Sequence, residues 1–487
     1  MHRFRLITHV AARRLPAVGI LGLVMTVTPA AAAAGGQTLT YVAIDMGTLG
    51  GPNTFPNTPG TTVTNTGIVV GSSDTAALYP YQDRCPGCHV GDAFEWQNGA
   101  MTDLGTLGGY GSGLFELNNF GVGVGVGETG STDPATGAPD THAAIATGGH
   151  LVDLGTLGGT QSWASAINDR GQASGFATNT TPDPYAANLE PLPSTTQWHA
   201  TLWQNGKAID LGTLGGPDSA GGLINQRGQV AGWSFTNSSP TDGNGGLPPQ
   251  HPFLWQAGTM QDLGTLGGVF AVPNWINNNG QVVGFSTLAG DQSGHPFLWT
   301  GSRLVDLGTL GGENGVANWI NEAGDVAGIA DLPDGTHHGF LWHNGHMQDL
   351  TPPAGAPCSN AYQVNDLDQV VGNYTDCQGN SYGAVLWDHG TSYILNDLAP
   401  LPGVFYEEGL YINDRRQIDC FSFLANGDVH QVLLTPAATS PNGTHGATAL
   451  HDRTSHLMPR SVPVSRDGPT ASRLRLQPEF RTSRSTS

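Results

Sequence analysis

One seven-residue phrase recurs along most of this 487-residue chain and limits the folds that the chain can adopt. The phrase is Asp-Leu-Gly-Thr-Leu-Gly-Gly in five copies, and a close variant and two degenerate copies complete the series. Self-similarity at a spacing of about 50 residues is typical of propellers and solenoids, in which each repeat packs only on its neighbours. The eight copies begin at Asp45, Asp103, Asp153, Asp210, Asp262, Asp306, Asp349 and Asp397.

Two further phrases occur eight times between those copies. The first is Ile-Asn-x-x-Gly-Gln-Val-x-Gly, and the members of its asparagine column lie 44 to 57 residues apart. That column reads Thr64, Asn118, Asn168, Asn225, Asn277, Asn321, Asn365 and Asn413. The second is His-Pro-Phe-Leu-Trp or a relative of it, which begins at Asp92, His142, His199, His251, His295, His338, Gly383 and His430.

The alternation of apolar and polar residues predicts four strands in each repeat. In the fifth repeat, residues 272–278 and 281–286 flank Asn279-Gly280, which predicts a two-residue hairpin turn because both residue types tolerate positive φ. Residues 295–300 and 303–308 predict a second hairpin around Gly301. Four antiparallel strands are the content of one propeller blade.

The two ends of the repeat region are complementary. The eighth repeat has three strands, at residues 408–413, 417–423 and 429–435, whereas residues 38–47 carry the fourth-strand phrase without partners. Pairing these ends would remove an exposed sheet edge. The sequence therefore predicts an all-β fold, a β-propeller of eight four-stranded blades over residues 35–435 that the N-terminal strand closes. A stacked β-solenoid or two smaller sandwiches are the alternatives.

The segments outside the repeats point to export. Arg3, Arg5, Arg13 and Arg14 precede an apolar run at residues 15–27 and then small residues, so residues 1–34 predict a signal peptide. The run is too short to span a bilayer, and we expect a secreted protein, extracellular or periplasmic, without a transmembrane anchor. Residues 436–487, rich in Ser, Thr, Pro and Arg, predict a disordered basic tail.

The repeat region itself is strongly acidic. Residues 35–435 hold 7 basic and 36 acidic residues. A surface of that sign repels phosphate backbones. We therefore exclude nucleic acid as a partner.

Together the three phrases resemble the bacterial HAF family of extracellular repeat proteins, named for a His-Ala-Phe phrase, over residues 41–434. The resemblance implies an exported repeat protein without an assigned activity, and it brings no catalytic residue. The chain departs from the phrase at residues 92–94 and 383–385, and it has proline at Pro252 and Pro296.

The histidine column suggests a contact that recurs in most repeats. A ring of imidazoles could bind a metal, but recurrence in each repeat favours a structural clasp in which histidine bonds a backbone group or the Asp or Thr of the adjacent phrase. Such a clasp resembles that of WD40 blades. The repeated aspartates could suggest calcium, but each repeat offers only one, so we expect no metal or other cofactor. The clasp histidines are His142, His199, His251, His295, His338 and His430.

Five cysteines in an exported chain predict two disulfides and one remainder. Cys358 and Cys377 bracket the seventh hairpin symmetrically about Leu367-Asp368, so we expect them to lie directly opposite each other. Cys85 and Cys88 could bind metal or exchange thiols, but we expect a loop-closing disulfide. Cys420 lies in a predicted strand and is expected to be a buried free thiol.

Four insertions between second and third strands break the repeat, at residues 73–91, 128–141, 177–198 and 234–250. Variable loops on a rigid scaffold commonly carry recognition. We predict ligand-binding aromatics here: Tyr81, Tyr185, Trp198 and Phe235. No catalytic motif stands out, so we expect a non-enzymatic binding scaffold for a glycan or another cell-envelope component. The alternative is a propeller-fold polysaccharide hydrolase or lyase.

Overall fold

The computed structural model describes residues 39–57, 60–80, 85–186, 189, 194–353 and 355–437. The predicted signal peptide and almost all of the predicted tail lie outside these residues. No helix within the described ranges is long and apolar enough to cross a membrane.

The described chain is built almost wholly from β-strands. The exceptions are one short α-helix, α1 (Leu395–Leu398), and a single turn of 3₁₀ helix at Asp242–Asn244. In chain order the strands are β1 (Tyr41–Asp45), β2 (Gly50–Phe55), β3 (Val69–Leu78), β4 (His89–Gln97), β5 (Ala100–Asp103), β6 (Ser112–Leu117), β7 (Gly123–Thr132), β8 (Pro139–Thr147), β9 (His150–Asp153), β10 (Ser162–Ile167), β11 (Ala173–Pro182), β12 (Thr196–Gln204), β13 (Lys207–Asp210), β14 (Ser219–Ile224), β15 (Val230–Phe235), β16 (Gln250–Gln256), β17 (Thr259–Asp262), β18 (Gly267–Ile276), β19 (Val282–Leu288), β20 (Gly294–Trp299), β21 (Leu304–Asp306), β22 (Gly315–Ile320), β23 (Val326–Asp331), β24 (His337–His343), β25 (His346–Leu350), β26 (Cys358–Val364), β27 (Val370–Thr375), β28 (Ser381–Asp388), β29 (Thr391–Ile394), β30 (Val404–Ile412), β31 (Ile418–Leu424) and β32 (Val429–Pro436).

Consecutive strands pair antiparallel in groups of four, which we number units 1 to 7: β2–β5, β6–β9, β10–β13, β14–β17, β18–β21, β22–β25 and β26–β29. Units 4 and 5 share one extended sheet through a single parallel pair, Gln250 with Phe270. Unit 8 has the order β1-β32-β31-β30. This succession of meander sheets confirms the predicted β-propeller fold.

The N-terminal strand supplies the fourth strand of unit 8. Strand β1 pairs antiparallel with β32, with Tyr41 opposite Pro436 and Asp45 opposite Val432. Unit 8 also contacts unit 1, since the Asp419 carboxylate accepts a hydrogen bond from the Thr62 hydroxyl at 2.5 Å. The chain ends are thus joined by backbone pairing and by side chains.

The hairpin turn of the asparagine phrase is longer than the sequence predicted. In unit 5, Asn277 N–H donates to Gln281 O at 3.1 Å and Gly280 N–H donates to Asn277 O at 3.0 Å, so the turn has three residues. Of these three, Gly280 has a positive φ, of 79°, and Asn279 does not. The prediction of a two-residue turn is wrong because Asn277 Oδ1 accepts the N–H groups of Asn279 and Gln281 and holds a type I turn with a bulge.

The hydrophobic core lies between the faces of neighbouring units. One cluster joins Val283 and Leu298 of unit 5 to Ile320 and Phe340 of unit 6. The inner strands of each unit are largely buried on both faces, as in β15 and β19, whereas the fourth strands, such as β13 and β17, are mostly exposed. Because the units pack face to face around an axis, the first strand of each unit lies nearest to that axis.

Candidate functional site

The histidine column forms the same contact in six units. Each imidazole Nδ1 donates to a carboxylate oxygen of the aspartate that begins the neighbouring phrase, at 2.7 to 2.9 Å. The pairs are His142–Asp153, His199–Asp210, His251–Asp262, His295–Asp306, His338–Asp349 and His430–Asp45. The last pair ties β32 to β1, so the same contact that links third and fourth strands elsewhere also links the two chain ends.

In five of the six clasps the aspartate also accepts the N–H of the glycine two residues further along the chain. Asp210 Oδ1 accepts the Gly212 N–H at 2.8 Å as well as the His199 proton. Burial would raise the pKa of Asp210, but these hydrogen bonds outweigh it and hold the pKa below its usual range. The carboxylate is therefore already used twice within its own unit, an arrangement that suits a tie between strands better than a metal ligand.

Unit 1 has an aspartate where six other units have the clasp histidine, which makes a gain of stability testable. Burial raises the pKa of Asp92 to about 6, and the neighbouring Asp103 adds to the shift. We expect Asp92→His to form a seventh clasp with Asp103 and to raise the free energy of unfolding by about 1 kcal/mol at pH 7. Urea unfolding measures this, with Asp92→Ala as the control that only removes the like charge. A gain no larger than that of the alanine variant would contradict the clasp.

The predicted ligand-binding aromatics do not form an exposed surface. Trp198 is 1% exposed and Phe235 is 0% exposed, so the prediction that they face solvent is wrong. Trp198 stacks on Phe176 with ring centroids 4.5 Å apart, because the loops fold back and their ends continue the strands β12 and β15. Tyr185 is partly buried and donates its hydroxyl to Ser238 O at 2.8 Å. Tyr81 lies outside the described residues.

The cysteines pair as expected, although not in the expected register. Cys358 and Cys377 form a disulfide, and so do Cys85 and Cys88. Cys358 nevertheless lies opposite Thr375 rather than Cys377. The three-residue turn shifts the register by one residue and a bulge near Ala361 shifts it by another, so that Cys377 follows the end of β27. Cys420 is a buried free thiol.

The asparagine column forms a belt around the central axis. In each case the side-chain Nδ2 donates to the backbone carbonyl of the column residue in the next unit, at 3.0 to 3.2 Å. Asn413 closes on Thr64 O, and Thr64, which has no amide, does not continue the belt. One side chain thus shapes the turn through Oδ1 and joins neighbouring units through Nδ2, which explains the recurrence of asparagine.

The residue after each belt asparagine, together with the residue after Thr64, forms a polar rim. Glu322 N–H donates to Asp366 Oδ1 at 3.0 Å, and Asp366 N–H donates to Asp414 Oδ1 at 3.1 Å. Burial, together with the adjacent carboxylate of Asp414, raises the pKa of Asp366. The rim carries four carboxylates among eight side chains: Asn65, Asn119, Asp169, Gln226, Asn278, Glu322, Asp366 and Asp414.

Belt and rim surround a cavity of about 200 Å³ on the central axis. Its floor holds Trp275 and Trp319, whose rings stack with centroids 3.5 Å apart, and Tyr411, edge-on to Trp319 at 5.9 Å. Glu116 also faces this cavity and accepts the Ile167 N–H at 3.2 Å. Burial raises the pKa of Glu116 to about 8, so its carboxyl is largely protonated at neutral pH.

The cavity lies away from the insertions. The strands are antiparallel, so the turn between first and second strands lies at the opposite end of the second strand from the insertion. The insertions therefore do not line this cavity, and a site on the insertion face stays a prediction. The sequence did contain a signal for the axial cavity. The position two residues before each belt asparagine is not repeated, since it holds Glu116, Trp275, Trp319 and Tyr411 in different units, whereas the adjacent positions repeat.

Comparison with known proteins gives only distant structural likenesses. No family model and no curated protein matches the chain, so the resemblance to HAF repeats stays a prediction. TolB from Acinetobacter baumannii aligns with a TM-score of 0.30 and 11% identity, covering 55% of this chain and 65% of TolB. Dipeptidyl peptidase 4 from Porphyromonas gingivalis aligns with a TM-score of 0.44 and 9% identity, covering 80% of this chain and 60% of the peptidase.

Proposed function

We propose that this chain is an exported, non-enzymatic binding scaffold, and that its ligand is the end of a glycan, held in the axial cavity. The observation that carries the proposal is the pairing of an aromatic floor with a polar rim. Sugars offer apolar ring faces to aromatic side chains and hydroxyl groups to amide and carboxylate acceptors. Trp319, Tyr411 and the rim supply both kinds of group around one opening.

Size and charge narrow the class of ligand. Drug-sized sites occupy about 300 to 1,000 Å³, whereas this cavity holds about 200 Å³. It therefore suits one terminal sugar rather than a length of chain. Glu322, Asp366 and Asp414 repel anionic groups, so the proposed sugar is neutral or carries an amine.

Export rests on the signal peptide predicted from the sequence and on the disulfides. Bonds such as Cys358–Cys377 persist in oxidising compartments. The cell envelope and its surroundings are such compartments, and glycans are abundant there. The proposed location outside the cytoplasm is therefore compatible with a glycan ligand.

Glycan-array binding of the mature protein tests the proposal. We expect binding to neutral or amine-bearing glycan ends, and we expect Trp319→Leu to weaken it by about 30-fold, as for a central aromatic anchor. Glu322→Gln should alter the preference for amine-bearing sugars. Tyr382→Ala is the matched control, because Tyr382 is an aromatic residue 47% exposed on β28, away from the cavity.

Equal binding by the Trp319→Leu and parent proteins, with both folded by thermal melting, would remove the axial cavity as the site. The alternative, a polysaccharide hydrolase or lyase, makes a different prediction. Release of shortened products from the bound glycans would replace the scaffold proposal by an enzyme, and Glu116→Gln would then be the first variant to assay.

A further inference from the structure

Three side chains from two units converge beside the rim. Ligand atoms of Asp325, His343 and Asp368 all lie within 4.8 Å of one another. His343 Nδ1 donates to Asp325 Oδ1, and Asn321 Nδ2 donates to Asp325 Oδ2 at 3.1 Å. Asp325 is buried, whereas His343 and Asp368 are exposed, so the group is anchored at its base and open to solvent.

Asp325 and Asp368 break the repeat at their positions, and His343 lies in a column that otherwise holds glutamine, threonine or aspartate. The position of Asp325 holds glutamine in five units: Gln172, Gln229, Gln281, Gln369 and Gln417. In units 3 and 4 this glutamine bonds a second glutamine at the end of the third strand, at 3.0 and 3.1 Å, where unit 6 has His343. In those units a pair of amide side chains therefore joins the turn to the end of the third strand, whereas unit 6 has a carboxylate and an imidazole at the same two positions.

The third departure carries a cost. The position of Asp368 is glycine in six units, and Asp368 adopts the left-handed region with φ of 59°. Its neighbour Asp325 is a like charge. A strained backbone position and two adjacent carboxylates are unfavourable unless a positive charge offsets them.

We propose that Asp325, His343 and Asp368 bind one divalent transition-metal ion, of which zinc is the type. Two carboxylate oxygens and one imidazole nitrogen are a donor set that suits zinc and manganese, whereas calcium and magnesium prefer oxygen donors alone. Three protein ligands leave a coordination position for water or for a ligand group. The exposed side of the cluster provides the path of entry. The site is independent of the proposed glycan cavity.

Isothermal titration of metal-stripped full-length protein with ZnCl₂, and separately with MnCl₂, CaCl₂ and MgCl₂, tests the site. We expect one equivalent of zinc or manganese to bind, and zinc to raise the melting temperature. Two variants restore the repeat and should fold: Asp368→Gly, and the pair Asp325→Gln with His343→Gln. Each variant removes residues that bind the metal directly. The zinc affinity of each should therefore fall by more than the factor of about 10 to 100 that is typical when only a supporting residue is changed. His150→Ala, which removes an exposed histidine of unit 2, is the control and should bind as the parent does.

Three results would overturn the inference. The first is no zinc or manganese binding by the parent. The second is binding by the repeat-restoring variants equal to that of the parent, which would indicate adventitious sites on surface histidines. The third is a preference for calcium or magnesium over zinc, which would leave the imidazole without a role. None of these results bears on glycan binding, so the two proposals succeed or fail separately.

Discussion

Deletion of residues 39–47 is expected to lower the free energy of unfolding by on the order of 5 kcal/mol, enough to unfold a domain of ordinary stability. The deletion removes β1, which pairs with β32 along its whole length. It also removes Tyr41 and Met46, each 6% exposed and packed in separate hydrophobic clusters. The His430–Asp45 clasp is lost as well. Unit 8 would be left with three strands and an open edge.

Thermal and urea unfolding of the truncated protein measure this effect. Two point variants in the same strand provide a matched comparison: Tyr41→Ala empties a buried site, whereas Val42 is 55% exposed and Val42→Ala should change stability by only about 0.5 kcal/mol. A synthetic peptide of residues 39–47 should restore the midpoint in trans. If the truncated protein kept the parent's midpoint, β1 would not contribute to the stability of the ring.

Stability is expected to fall as the pH rises from about 4 to about 7, and Asp419 is the main cause. Asp419 is fully buried where unit 8 meets unit 1, and its Oδ2 accepts hydrogen bonds from Thr62 and from Gln431 Nε2 at 2.7 Å. Burial raises the pKa of Asp419 from 3.8 to about 7. Between those values the native state binds a proton that the unfolded chain has lost.

The direction of this pH dependence follows from the raised pKa of Asp419. A raised carboxyl pKa contributes stability below pH 3.8, and that contribution is lost as the pH passes through the folded pKa of about 7. Complete loss amounts to at most about 4 kcal/mol, at 1.36 kcal/mol per pH unit. Asp218, with a pKa raised by burial to about 7, and Glu116, with a pKa raised to about 8, act in the same direction.

Urea unfolding at pH 5 and at pH 8 measures the difference. The parent should be less stable at pH 8, and Asp419→Asn should reduce the difference while leaving the shares of Asp218 and Glu116. The asparagine keeps an oxygen that can accept from Thr62, so the variant should fold. Identical pH dependence in the two proteins would mean that Asp419 is ionised in the folded state at low pH and that its burial is not costly.

The propeller fold was predictable because its signals are local. The Asn-x-x-Gly turns, the His-to-Asp spacing and the period-2 runs all lie within about 12 residues of one another, where strand alternation and hairpin chemistry determine which groups meet. The pairing of β1 with the sheet of β30–β32 was predictable from the strand count. The eighth repeat has three strands, and the N-terminal segment has one strand without a partner.

Side-chain exposure in the insertions was not predictable in the same way. Trp198 and Phe235 sit in segments that depart from the repeat, so they were expected in solvent-facing loops. Their burial depends on where a loop of irregular length folds back, and Trp198 finds Phe176 in the neighbouring strand. The bulge that contributes one residue to the offset between Cys358 and Cys377 is likewise a result of strand packing.

The sequence by itself determined the repeat, the strand content and the strand that completes unit 8, because each follows from alternation or from counting along the chain. It limited the partners of the clasp histidines to a backbone group or the Asp or Thr of the adjacent phrase, and the structure identifies the aspartate. Only the tertiary structure decided what lies on the axis and across units: the asparagine belt, the cavity with Trp275 and Trp319, and the meeting of Asp325, His343 and Asp368. The physical reason is that the belt, the stacked tryptophans and the approach of Asp368 to Asp325 join residues of different units, and their geometry is set by how neighbouring sheets pack and twist rather than by the pattern within any one of them.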